Sequence, residues 1–127
     1  MGYRSGVYVG VAFASEEDMK EVLAVYALDP RVQKHDLLRH WKIKDDNILC
    51  FERGYTKWYH KYEEVEQGVG HILDLAESFH SERDMPMAFR VLRVSEYSDI
   101  APEDRYEHGG DDGTLINKLS GMWRYII

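Results

Sequence analysis

Three stretches of the chain concentrate residues able to bind or react. Residues 55–62 place Tyr55, Trp58, Tyr59 and Tyr62 beside Lys57, Lys61 and His60. Trp and Tyr dominate binding hot spots, so Lys57, Trp58, Tyr59, His60 and Tyr62 form a candidate partner surface. A packing corner, with Trp58 and Tyr62 covering the start of a helix, explains the same residues. Residues 96–113 hold seven acids (Glu96, Asp99, Glu103, Asp104, Glu107, Asp111, Asp112) against one base, Arg105. Residues 31–44 are the opposite pole: Arg31, Lys34, Arg39, Lys42 and Lys44 against Asp36, with His35, His40 and Trp41 among them. Basic residues interleaved with an aromatic suit phosphate binding and base stacking. An ordinary solvated loop and edge strand has the same composition.

Specific catalytic and metal patterns are absent from the sequence. The pairs Asp36/His40 and His60/Glu64 have i,i+4 spacing and each supplies half a metal site, but no HExxH follows. Glu96, Asp99, Glu103 and Asp104 offer oxygens to a hard cation at irregular spacing, unlike a calcium-binding loop. The single cysteine, Cys50, lies among Ile48, Leu49 and Phe51 and reads as a buried small hydrophobe. It also excludes an internal disulfide and a cysteine-built zinc site. Ser95 and Ser98 lack a nucleophile-elbow context, and there is no phosphate-binding glycine loop. The Met1-Gly2 start is followed by Gly6 where a myristoylation signal carries Ser or Thr. The expectation is no metal and no cofactor.

Charge narrows the partners. The net charge is −7, from 16 Lys and Arg against 23 Asp and Glu. Residues 96–113 account for −6, and the remainder (16 acids, 15 bases) for −1. A DNA mimic would be expected to spread its acids over a large surface, and a nucleic-acid binder would be basic, so neither fits. No apolar run approaches the roughly 20 residues of a membrane span, and no signal peptide is read. The reading is a cytoplasmic domain without a membrane partner.

These residues must be positioned by one domain, residues 1–127, since 127 residues match a typical domain length. Val7, Val9, Val11 and Phe13 alternate with Tyr8, Gly10 and Ala12, which predicts a central strand covered on both faces. Ser15, with Glu16, Glu17 and Asp18 behind it, predicts a helix start. Met19, Val22, Leu23 and Tyr26 give that helix its stripe, and Asp29-Pro30 ends it. Residues 31–40 are a short helix or an irregular connection. Residues 41–44 and 48–53 read as a hairpin turned at Asp45-Asp46-Asn47. Val65, Val69, Ile72, Ala76 and Phe79 predict a second helix over residues 63–80. Residues 87–94 read as a strand, 96–113 as an acidic loop, 115–119 as a short helical turn, and 122–127 as a last strand. The order is the α+β, ferredoxin-like β-α-β-β-α-β series plus one C-terminal strand. It implies a mostly antiparallel sheet with two helices on one face. The open face carries aromatics and suits a homodimer contact.

The opening Met1-Gly2-Tyr3-Arg4-Ser5-Gly6-Val7, the element Lys57-Trp58-Tyr59-His60-Lys61-Tyr62-Glu63-Glu64-Val65, and Arg93-Val94-Ser95-Glu96 followed by acids resemble three motifs. They belong to a group of small bacteriophage-encoded proteins of unknown function. Those proteins often carry Gly-Glu where this chain has Ser95-Glu96, and Tyr97 and Ser98 interrupt the usual acidic run. The resemblance implies a viral accessory protein working in the cytoplasm of a bacterial host, and brings no activity with it.

Two functions are expected. The first is a non-enzymatic binder that neutralises a host factor, a counter-defence inhibitor. A protein partner would dock on Lys57, Trp58, Tyr59, His60, Tyr62, Glu96, Asp99, Glu103 and Asp104. A nucleotide signal would dock on Trp41, Arg53, Lys57, Tyr59 and Arg93. The second is a small phosphodiester- or nucleotide-acting enzyme, with His60 or His108 as general acid/base and Arg93 or Lys57 holding phosphate.

Overall fold

The computed structural model describes residues 5–34, 36–56, 69–95, 102–110 and 113–123. Among these, five strands form one sheet: β1 (Ser5–Phe13), β2 (Trp41–Lys44), β3 (Ile48–Thr56), β4 (Met87–Ser95) and β5 (Glu103–Gly109). Every neighbouring pair is antiparallel, in the order β2-β3-β1-β4-β5. The helices among the described residues are α1 (Glu16–Ala27), α2 (Pro30–Lys34), α3 (His71–Arg83) and α4 (Thr114–Ser120), with a 3-10 turn at Leu37–His40. The chain is therefore α+β.

The alternation in β1 decides the layering. Val7, Val9, Val11 and Phe13 are all fully buried and face Met19, Val22 and Tyr26 of α1 and Ile72, Ala76 and Phe79 of α3. Tyr8, Gly10 and Ala12 face the other way, where Leu115, Leu119, Met122 and Trp123 pack on Ile48, Cys50, Ala88 and Leu92. The small residues of β1 let α4 approach: a Cβ on Gly10 would stand 2.8 Å from Leu119 Cδ2 and 3.3 Å from the Trp123 ring.

Local signals act as the sequence predicts. Ser15 caps α1 by accepting the backbone N–H of Asp18 at 3.2 Å. Pro30 opens α2, where its missing N–H costs nothing. Asp45 and Asp46 both adopt positive φ in the β2–β3 turn. Asn47 then donates its side-chain amide to Phe13 O at 2.7 Å, tying the turn to the end of β1. Asp29 joins three helices: its carboxylate accepts from Arg31 and stands 3.4 Å from His71 Nε2. The Arg31 hydrogen bonds hold its carboxyl below the usual range.

Three expectations are corrected. The acidic segment is not a loop throughout: residues 103–109 are the edge strand β5, recruited by pairing with β4 rather than by burial. Among the described residues the fifth strand is this one, and the first two residues of the expected last strand are not extended. Met122 and Trp123 lie in the turn after α4, with Trp123 at φ 60°, outside the extended region. Residues 124–127 lie outside the described residues. Finally, α1 and α3 do share one face, but α4 covers part of the other, so that face is not left open to a second subunit along its length.

Candidate functional site

The most constrained polar group lies at the β4–β5 edge. Arg90 is 2% exposed, in the middle of β4. Its guanidinium meets Asp104 of β5 with two parallel bonds, Nε–Oδ1 and Nη2–Oδ2, both 2.8 Å. Nη1 donates to Leu119 O at 3.1 Å, in the last turn of α4, and to Met122 O at 2.7 Å, in the turn that follows it. Tyr106 and Trp123 offer their rings to the same cation at 5.0 and 5.5 Å. The Asp104 hydrogen bonds hold the guanidinium charge more firmly than usual. Arg90 thus fastens β5 and α4 to the sheet. Trp123 completes the fastening by donating Nε1–H to Glu52 Oε1 at 2.7 Å.

What this holds in place is an edge strand exposed along its length. Residues 103–108 are all exposed, and nothing among the described residues pairs with the outer side of β5. The register sorts its side chains. Glu103, Arg105 and Glu107 lie opposite Arg93, Val91 and Phe89 on the α1/α3 face. Asp104, Tyr106 and His108 lie opposite Leu92, Arg90 and Ala88 on the α4 face. Arg105 stacks over Phe89 at 5.4 Å.

Behind this edge, α3 and β5 enclose a groove of about 330 Å³ lined by Glu77, His80, Ser81 and Glu107. Burial, then a hydrogen bond to Glu107 and the charges of Glu107 and Asp74, raise the Glu77 carboxyl above its ordinary value; Arg105 opposes them. His80 Nδ1 lies 3.1 Å from Met85 O, which fixes the ring. Its other nitrogen faces Gly109, where a Cβ would come within 2.4 Å.

The chain matches no protein-family model, no curated protein and no solved structure. The site therefore rests on its own geometry.

Of the expected partner residues, Glu103 stands exposed on β5, while Asp104 is engaged internally by Arg90. Lys57, Trp58, Tyr59, His60, Tyr62, Glu96 and Asp99 lie outside the described residues. Of the expected nucleotide residues, Arg53 and Arg93 are brought together. Both flank Val7 in register, on strands either side of β1, about 10 Å apart. Trp41 does not present a stacking face: it is 8% exposed, packs on Phe51 at 5.5 Å and donates its indole N–H to Tyr26. The enzyme constellation is not assembled from its described members. Arg93 and His108 lie on opposite faces of β4–β5, about 17 Å apart along the strand. No group of three or more metal-ligating side chains occurs among the described residues.

The residue missed from sequence was Arg90. Its signal was available: a lone Arg between Phe89 and Val91, inside a run that reads as a buried strand, requires a buried carboxylate partner.

Proposed function

We propose that this protein is a non-enzymatic binding module of the ferredoxin-like type, extended by a fifth strand, that captures and neutralises a cationic protein partner on its acidic edge. The observation that carries this is β5: a sheet edge with no partner strand among the described residues, presenting Glu103 and Glu107 and anchored by Arg90. An exposed edge strand offers its backbone N–H and C=O groups to a strand from another chain. The acids select a partner rich in Lys and Arg, and their charge steers its approach. The strand order, with α1 and α3 on one face of the sheet, supports the fold-type reading. The phage-like motifs support a host factor in a bacterial cytoplasm as the partner.

The test is native mass spectrometry of tagged protein purified gently from host lysate, repeated with Glu103→Lys/Glu107→Lys. A stoichiometric basic protein on the wild type, lost from the variant and at high salt, is the expected result. A complex that survives both would move the interface elsewhere. Recovery of the bare chain alone would favour the enzyme reading, to be pursued by turnover assays on nucleotides.

A nucleotide-sequestering role is a second reading, favoured by the placement of Arg53 and Arg93 astride Val7.

A further inference from the structure

The sheet edge opposite β5 carries a different feature. Lys42 and Lys44 alternate with Trp41 and Ile43, so both fall on the α4 side of β2. Lys42 lies opposite Cys50 and Lys44 opposite Ile48. Helix α4 packs over β1 and β4, around Gly10, Ala12 and Ala88, and its final turn stops at Met122. The β2–β3 half of this face is thereby left as a cleft of about 330 Å³, lined by His40, Lys42, Lys44, Cys50, Glu52 and Met122. Cys50 and Met122, each 8% exposed, give it an apolar lining.

The charges in the cleft are unbalanced. Neither Lys42 nor Lys44 forms an ion pair with any described residue. Glu52, the one acid in the lining, already accepts the Trp123 indole N–H. Asp45 and Asp46 follow Lys44 in the turn, beyond the lining. Two lysines two apart on one strand face converge on a single dianion, and Lys binds phosphate as a point charge. Acids at both ends, Glu52 on one side and Asp45 and Asp46 on the other, oppose a longer polyanion passing through.

We propose that this cleft binds a phosphate-bearing small molecule, its phosphate held between Lys42 and Lys44 and its uncharged body resting on Cys50 and Met122. The volume lies at the small end of ligand pockets, and polar side chains line the cleft at least as much as apolar ones. The site lies on the edge of the sheet opposite β5, so it stands or falls independently of edge docking.

The experiment is calorimetric titration of the full chain with AMP and with inorganic phosphate, compared across Lys42→Gln/Lys44→Gln and Lys34→Gln. Lys34 is exposed on α2, outside the cleft. AMP is expected to bind saturably, inorganic phosphate to compete more weakly, and the double variant to lose roughly tenfold or more in affinity. Lys34→Gln should bind as the wild type does. No saturable binding up to millimolar AMP, equal affinity for AMP and phosphate, or an unaffected double variant would each overturn the proposal.

Discussion

Arg90 and Asp104 face each other across β4 and β5 with two 2.8 Å bonds, and the remaining Arg90 donors close the end of α4. One buried side chain thereby joins an edge strand and a helix that contribute little else to the main core, which lies on the far side of the sheet. The arrangement also explains how a strand as polar as β5 stays attached. Its acids are not only a surface, because one of them is the counter-ion of a buried cation.

Replacing Arg90 with Ala should therefore cost more than an exposed ion pair would. Breaking a buried pair from one side destabilises by about 3–5 kcal/mol, much of it from unsatisfied partners. Here those partners are Asp104, the Leu119 carbonyl of α4 and the Met122 carbonyl in the turn after it. Asp104→Asn should also destabilise, and by less, because Asn keeps one acceptor and Arg90 keeps the carbonyls. Urea unfolding followed by tryptophan fluorescence measures both. A cost under about 1 kcal/mol for Arg90→Ala would mean that β5 and α4 are held by something else.

A second prediction concerns how α4 seats on the sheet. The Gly10 Cα lies under Leu119 and Trp123, so Gly10→Ala pushes a methyl group to 2.8 Å from Leu119 Cδ2. Overpacking of this kind costs about 1–3 kcal/mol. Leu119→Ala alone should cost about 2–5 kcal/mol, since Leu119 is fully buried. Combined, the two should interact favourably, with Gly10→Ala becoming neutral or stabilising once the Leu119 methyls are gone. A double-mutant cycle on thermal unfolding reads the coupling; strict additivity would place α4 away from Gly10.

Much of this architecture was legible in the sequence, for identifiable reasons. The β1 alternation, the Ser15 cap, the Asp45-Asp46-Asn47 turn and the Val69, Ile72, Ala76, Phe79 stripe are signals in which local chemistry and burial agree. β5 was illegible because Glu-Asp-Arg-Tyr-Glu-His-Gly has no apolar alternation; an edge strand needs only a neighbour to pair with. Of the expected last strand, Met122 and Trp123 are apolar for a different reason. They cap the second face of the sheet from a turn. The basic pole was legible as a composition. Its division was not: Trp41 goes to the α1/α3 core, while Lys42 and Lys44 turn to the opposite face. Only the register of β2 on β3 reveals that.

The α3–β5 groove gives a prediction in pH. Burial, the hydrogen bond to Glu107 and the nearby negative charges of Glu107 and Asp74 raise the Glu77 carboxyl in the folded chain. An acid raised on folding favours the folded state while it is protonated. Its contribution is therefore fully present below the ordinary glutamate value of 4.5, and is lost as pH rises from there through the raised value. Glu77→Gln keeps a donor for Glu107 and removes the repulsion. It should leave stability unchanged in acid and raise it at neutral pH. Because Glu77 is exposed to solvent, the gain is screened to roughly 0.2–1 kcal/mol. His80 lines the same groove and the charge of Arg105 acts on Glu77, so the comparison is made as a difference between the variant and the wild type at each pH. Thermal midpoints from pH 3 to pH 8 would measure it. A variant that tracks the wild type throughout would show that the two carboxylates do not share a proton, and a variant less stable at neutral pH would reverse the sign of the interaction.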